Sequence, residues 1–291
     1  MNLFDHLVTE ALKNQPELSA LRVVVEKELL HHDILRILSH NSLLAGLTFM
    51  GGTALRSCYG GMRLSEDLDF TGGSNFSRDI LSSMGRILTT SLYEKYGLEV
   101  SVSKPVKDSK NVDTWKIKIE TRPQQKHLPA QRINIDICAV QSYEKKPMLL
   151  LNPYGVDMGT SGLIIQTQSR EEIYTDKLLA FALRPNRIKY RDLWDMVWLH
   201  QRGLKPNFEL VPRKLQDRKL SEEYFINLFN QRVLSLSEND KIAIEFKKEM
   251  YRFLPLQKIN ESLKQNDFWS FVVYLMQELN TQLQIFLISR D

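Results

Sequence analysis

Apolar residues recur at helical spacing through the first forty positions, at Leu3, Leu7, Leu12, Leu21, Val25, Leu29, Leu30, Ile34 and Leu38. That period predicts a helical N-terminal segment. From about 41 to 165 the period changes. A short apolar run at 47–50 and alternating stretches near 98–104, 114–121, 132–140 and 162–166 read as strands. One helix is expected among them over about 78–95, on Ile80, Leu81, Ile87, Leu88 and Leu92. Beyond 169 the pattern is helical again, with helices expected over 222–230, 240–253 and 268–287. The last carries Trp269, Val272, Val273, Leu275, Met276, Leu279 and Leu283, a stripe that reads as core. Residues 204–219, basic and proline-containing, read as an inter-helix loop. The fold class expected is therefore α+β: a mixed-sheet domain with N-terminal helices over 1–168, then a helical domain over 169–291.

Within the strand region, residues 51–70 carry candidate chemistry. Gly51-Gly52-Thr53 follows an apolar strand and opens a short helix, whose first N–H groups have no intrahelical partner. Those amides and the positive end of the helix dipole suit a polyphosphate. The chain turns at Gly60-Gly61 and returns as a strand bearing Asp67 and Asp69. Alternation projects both carboxylates to one side while Leu68 and Phe70 point into the core. Two such carboxylates make a hard-oxygen site suited to Mg²⁺ with bound phosphates. A lone Gly-Gly or Asp-x-Asp is an ordinary turn; their succession is what points to a site.

The fuller pattern is Gly-Gly-Thr-Ala-Leu at 51–55, Tyr59-Gly60, then Arg63-x-Ser65-x-Asp67-Leu68-Asp69-Phe70. It resembles the nucleotidyltransferase superfamily related to DNA polymerase β and, within it, the AbiEii/AbiGii toxin family. The resemblance implies a polymerase β-like lobe and a third carboxylate on a neighbouring strand, because two metals must be held across the reacting phosphate. Asp136 fits that demand: in 132–140, Ile133, Ile135, Ile137 and Ala139 alternate onto one face, and Arg132, Asn134, Asp136 and Cys138 onto the other. The alternative for such a strand is a solvated edge. Asp67, Asp69 and Asp136 are thus expected to hold two Mg²⁺ ions. Gly51, Gly52, Thr53 and Ser65 are expected beside the nucleotide phosphates.

Downstream, Ser169-Arg170-Glu171-Glu172 reads as a capping box that starts a helix. The stretch Asp176-Lys177-Leu178-Leu179-Ala180, followed by Lys189-x-Arg191-Asp192-Leu193-x-Asp195, resembles the second block of the same family. By that resemblance Lys177 contacts the nucleotide phosphates and Asp192 completes the catalytic set. Spacing alone would read both helices as merely amphipathic. The family further implies transfer of a nucleoside monophosphate from an NTP to an RNA acceptor, the tRNA 3′ end, by a toxin with a cognate antitoxin protein in a toxin–antitoxin or abortive-infection module.

Composition narrows the classes. The chain has 291 residues, 43% of them hydrophobic, enough for a sizeable core. No run has the length of a membrane span, and Met1 to His6 lack a basic n-region, so a cytoplasmic protein without membrane contact is expected. Cys58 and Cys138 have no metal-type spacing, and the six histidines form no zinc-type cluster. No Walker loop and no Gly-x-Ser-x-Gly elbow occurs. The formal charge of +4 matters through its placement: Lys104, Lys107, Lys110, Lys116, Lys118, Arg122, Lys126, His127, Arg132 and Lys145 crowd the middle of the chain. A basic strand with Lys116 and Lys118 outward could follow a phosphate backbone; it could equally be an edge protected by lysine. Two rival functions fit the same motifs, a small-molecule (antibiotic) nucleotidyltransferase and a non-catalytic nucleotide- or RNA-binding module. The basic middle segment disfavours the first, and the intact Asp67, Asp69, Asp136 and Lys177 disfavour the second.

Overall fold

In the computed structural model, residues 2–105, 111–122, 124, 129–185 and 187–290 are described. Lys107, Lys110, Lys126 and His127 lie outside them. The chain divides into two units, Met1–Gln168 and Ser169–Asp291.

The first unit opens with α1 (Leu3–Asn14), where the Asn2 side chain caps the helix by accepting from Asp5 N–H at 2.8 Å. A 3₁₀ turn over Pro16–Leu21 leads into α2 (Arg22–His40). This helix buries Val25, Leu29, Ile34 and Leu38, as the apolar period predicts, but also Glu26, Glu28, His31, His32 and Asp33. Such charges survive burial only when partnered. The rest of the unit is β1 (Thr48–Met50), α3 (Gly51–Tyr59), β2 (Leu68–Thr71), α4 (Met84–Tyr96), β3 (Val100–Ser103), β4 (Val112–Ile119), β5 (Gln131–Cys138), β6 (Lys145–Leu149) and β7 (Ile164–Gln168).

These strands form one mixed seven-stranded sheet in the order β3-β4-β5-β2-β1-β7-β6. β2 runs parallel to β5 and β1 parallel to β7; the other neighbours are antiparallel. Its core face carries Leu68, Phe70, Trp115, Ile117, Ile119, Ile133, Ile135 and Ile137, all nearly inaccessible. Each such aliphatic residue contributes about 1.5–3 kcal/mol by leaving water. Helix α2 packs on β5 and α4 on β3. On β4 and β5 the intervening residues are exposed or half-buried, so one face is covered and the other open. A one-residue slip of β2 would drive Asp69 into the core and Phe70 out, which is why the register is fixed.

The second unit is helical: α5 (Arg170–Leu183), α6 (Tyr190–Gln201), α7 (Leu210–Asp217), α8 (Glu222–Glu238), α9 (Asp240–Met250), α10 (Leu256–Glu261) and α11 (Phe268–Ile288). Ser169 caps α5 by accepting from Glu172 N–H at 2.9 Å. Val272, Leu275, Met276, Leu279 and Leu283 of α11 are buried, so the stripe is core. Phe181 and Phe229 meet edge to face at 5.5 Å, joining α5 to α8.

The structure departs from the sequence pattern in three places. Residues 204–219 are no mere loop: α7 lies within them, and Pro212 sits in its first turn, where an N–H has no helical partner to lose. Strand β6 falls outside the strands that the alternation predicts; its Pro147 is tolerated because β6 is an edge strand. The second helix of the Lys177 block starts at Tyr190, so Lys189 of that motif precedes it.

Candidate active site

Helix α3 starts immediately after β1, and Met50, its cap position, supplies no side-chain cap. Gly51 has φ +76°, and a Cβ there would stand 2.6 Å from Asp69 Oδ2. Only glycine takes this backbone and this closeness without strain. The helix N-terminus and the Asp69 carboxylate are therefore neighbours. At the other end Gly60, with φ +72°, closes α3 in the left-handed conformation.

Asp69 pairs in register with Asp136 across the parallel β2–β5 ladder. Asp67 directly precedes β2, and its Oδ1 accepts from Asn134 N–H of β5 at 3.2 Å. All three carboxylates are half-buried and reachable from solvent. Thr114, opposite Asp136 on β4, donates its hydroxyl to Asp136 Oδ1 at 2.6 Å. Thr114 was missed from sequence because its partner lies 22 residues away; only the strand register reveals it.

The donor set consists of hard carboxylate oxygens, the chemistry Mg²⁺ prefers, and the close approach allowed by Gly51 leaves Asp69 beside the helix N-terminus. The residues fit the group on those grounds. Among the described residues, however, no three His, Cys, Asp or Glu side chains are gathered into a metal-holding cluster.

Thr53 and Ser65 are both buried. Their hydroxyl oxygens are 2.6 Å apart, and Thr53 also donates to the Asp67 carbonyl. Their side chains thus tie α3 to the approach of β2. Cys58 is buried near Thr167, and burial raises its thiol pKa to about 11, so it stays protonated.

In the second unit Lys177 is buried and its Nζ lies 2.6 Å from Asp192 Oδ1 and 2.8 Å from Asp195 Oδ2. Burial pushes the Asp192 carboxyl up, but Lys177, Lys189 and Arg184 together outweigh it and hold it well below the usual carboxylate range. Asp192 is thus ionised at neutral pH. Asp176, beside Lys177 in the chain, takes part in a second ionic group. There Lys214 of α7, 1% exposed, meets Glu172 Oε1 at 2.7 Å and Asp176 at 3.0 Å.

The basic residues separate. On the carboxylate-bearing face of the sheet, Lys116 and Lys118 of β4 and Arg132 of β5 are exposed, with Lys118 opposite Arg132. Arg122 turns instead to buried Glu26, and Lys145 lies on the far edge strand. Arg184 and Arg191 serve the packing of the second unit, the former on Asp192 and the latter on Glu249 and the Phe253 ring.

A mixed sheet thus presents paired aspartates beside a glycine-led helix. The family model described as nucleotidyl transferase AbiEii toxin of type IV toxin–antitoxin systems matches residues 33–275, and the chain belongs to that family. It is a nucleotidyltransferase, and membership brings an NTP substrate and an antitoxin partner. No curated protein matches it in sequence. Among solved structures it is similar to MenT4, a nucleotidyltransferase toxin of Mycobacterium tuberculosis, with 15% identity and a TM-score of 0.56, over 97% of this chain and 91% of that one. JHP933 of Helicobacter pylori gives 18% identity and a TM-score of 0.51, over 91% of this chain and 95% of that one. Likeness at this level shows a shared fold. Among the described residues no helix is long and apolar enough to cross a membrane.

Proposed function

We propose that this chain transfers a nucleoside monophosphate from an NTP to the 3′ end of an RNA, a tRNA by family resemblance, and that it requires Mg²⁺. The observation that carries the reading is the continuity of one sheet face. Asp69 and Asp136 stand in register, and Lys116, Lys118 and Arg132 extend from them along β4 and β5. A polyanionic acceptor would be drawn along that face toward the carboxylates. A small cationic acceptor would be repelled by it.

The N-terminal amides of α3, at Gly51 and Gly52, hold the polyphosphate. Asp67, Asp69 and Asp136 would hold Mg²⁺, which would spread the phosphate charge and make the acceptor hydroxyl more acidic. The acceptor oxygen bonds to the α-phosphorus while the α–β bridging bond breaks and pyrophosphate leaves. Asp136, which Thr114 orients, would help activate the acceptor hydroxyl, through the metal or as the base that receives its proton. Lys177 takes the role that its motif has in the family, and within its own unit Asp192 and Asp195 fix its ammonium.

The test is incubation with each labelled NTP, Mg²⁺ and total RNA. Label is expected on an RNA 3′ end and is expected to vanish with a chelator. Label on a small molecule or on protein would overturn the acceptor assignment while the family activity stands.

A further inference from the structure

We infer that Glu28 of α2 is a positioning residue that fixes the Asp67 segment against the phosphate-binding helix; the inference rests on the reading of the site given above. Glu28 is 4% exposed, and its carboxylate serves three donors. Oε1 accepts from Ser65 N–H at 2.7 Å, while Oε2 accepts from Arg56 Nε at 3.0 Å and from the Tyr154 hydroxyl. Ser65 lies two residues before Asp67, and Arg56 lies on α3, whose first turn is Gly51-Gly52-Thr53. Arg56 also donates to the Gly61 carbonyl at 3.0 Å, which holds the turn between α3 and β2. One buried carboxylate therefore joins the helix that leads to the cradle with the strand approach that carries the metal ligands.

Two neighbours on α2 grip the same segment. Lys27 Nζ meets the Glu66 carboxylate at 2.9 Å. His31 Nε2 lies 3.0 Å from the Glu66 carbonyl, which only accepts, so Nε2 carries the proton. Burial lowers the His31 pKa to about 4, which keeps the ring neutral in that role. Residues 27, 28 and 31 share one side of the helix, and together they clamp residues 65 and 66. Glu28 lies outside the residues 33–275 that define family membership.

The clamp acts through an acceptor for Ser65 N–H, and that separates it from a plain ion pair. Two full-length triple variants, each with Arg56→Met and Tyr154→Phe, differ only there: Glu28→Gln keeps an acceptor, and Glu28→Leu has none. Neither leaves a buried charge without its partner. Amide exchange over residues 62–67 is expected to quicken at least about tenfold in the leucine variant relative to the glutamine variant, with α2 itself equally protected in both. Transfer should show the same split, with kcat lower by about tenfold in the leucine variant and KM for NTP within about threefold. Should the leucine variant not fold, Glu28→Gln alone replaces it. Arg56 then claims the single amide oxygen, and the same acceleration is expected at residues 62–67. Equal exchange in the two variants, or equal kcat in folded protein, overturns the inference. A wild-type chain that transfers nothing would refute the proposed function while leaving the exchange comparison to decide the clamp.

Discussion

Asp69 and Gly51 show how much one residue settles in this site. The Asp69 carboxylate lies where a Cβ on Gly51 would have to go, and it faces Asp136 across two strands. Asp69→Asn keeps the shape and removes the charge. It should leave the melting temperature within about 2 °C of wild type and reduce transfer at least about a hundredfold, or ~3 kcal/mol in the barrier. A folded variant with wild-type rate would refute the assignment. Gly51→Ala tests the same contact from the other side. The left-handed backbone costs an alanine about 1–2 kcal/mol, and the new methyl group displaces the Asp69 side chain. Transfer should fall further than the loss of stability explains, compared by urea unfolding and initial rates. That Asp69 and Asp136 lie on the face opposite the core was legible in the sequence, because strand alternation states which side chains share a face; the choice of Asp136 came from the family resemblance. Thr114 and Glu28 were not legible, since each acts through a hydrogen bond to a residue 22 or 37 positions away.

At the scale of elements, the periodic patterns decided what could be read. Helix α2 and strands β4 and β5 followed from their apolar periods, and the Ser169 cap from its own residue and Glu172 three positions on. Helix α7 did not, because its composition is that of a basic loop and its reason for existing is distant. It brings Lys214 to Glu172 and Asp176, 42 and 38 residues earlier. Removing that ammonium leaves two carboxylates in a site with almost no water. Lys214→Met should therefore destabilise the chain by about 3–5 kcal/mol, even though methionine fills much the same space. The urea midpoint measures it, and a change below about 0.5 kcal/mol, typical of a surface site, would show that the ionic group is not what holds α7.

For the whole molecule, the formal charge of +4 is too small to define a partner; the arrangement of charge is what discriminates. Among the described residues of that basic stretch, Arg122 pairs with Glu26, Lys145 lies on an edge strand, and Lys116, Lys118 and Arg132 lie on the open sheet face beside the aspartates. Only the last group has an acceptor-binding role in the proposed reaction. An RNA lying there releases counterions from its phosphates, so labelling should fall steeply with added salt, while NTP binding falls less. Lys116→Glu combined with Lys118→Glu should weaken RNA labelling without changing NTP affinity. It should also flatten the logarithmic salt slope by about 0.7 for each phosphate of a single strand that is no longer neutralised. Of the two, Lys116 should matter more, because Lys118 already shares its charge with Glu120 at 3.0 Å. The measurement is RNA-end labelling across a salt series, with NTP binding followed in parallel. An unchanged slope in the double variant would show that the acceptor does not run along β4, and the RNA assignment would lose the observation on which it stands.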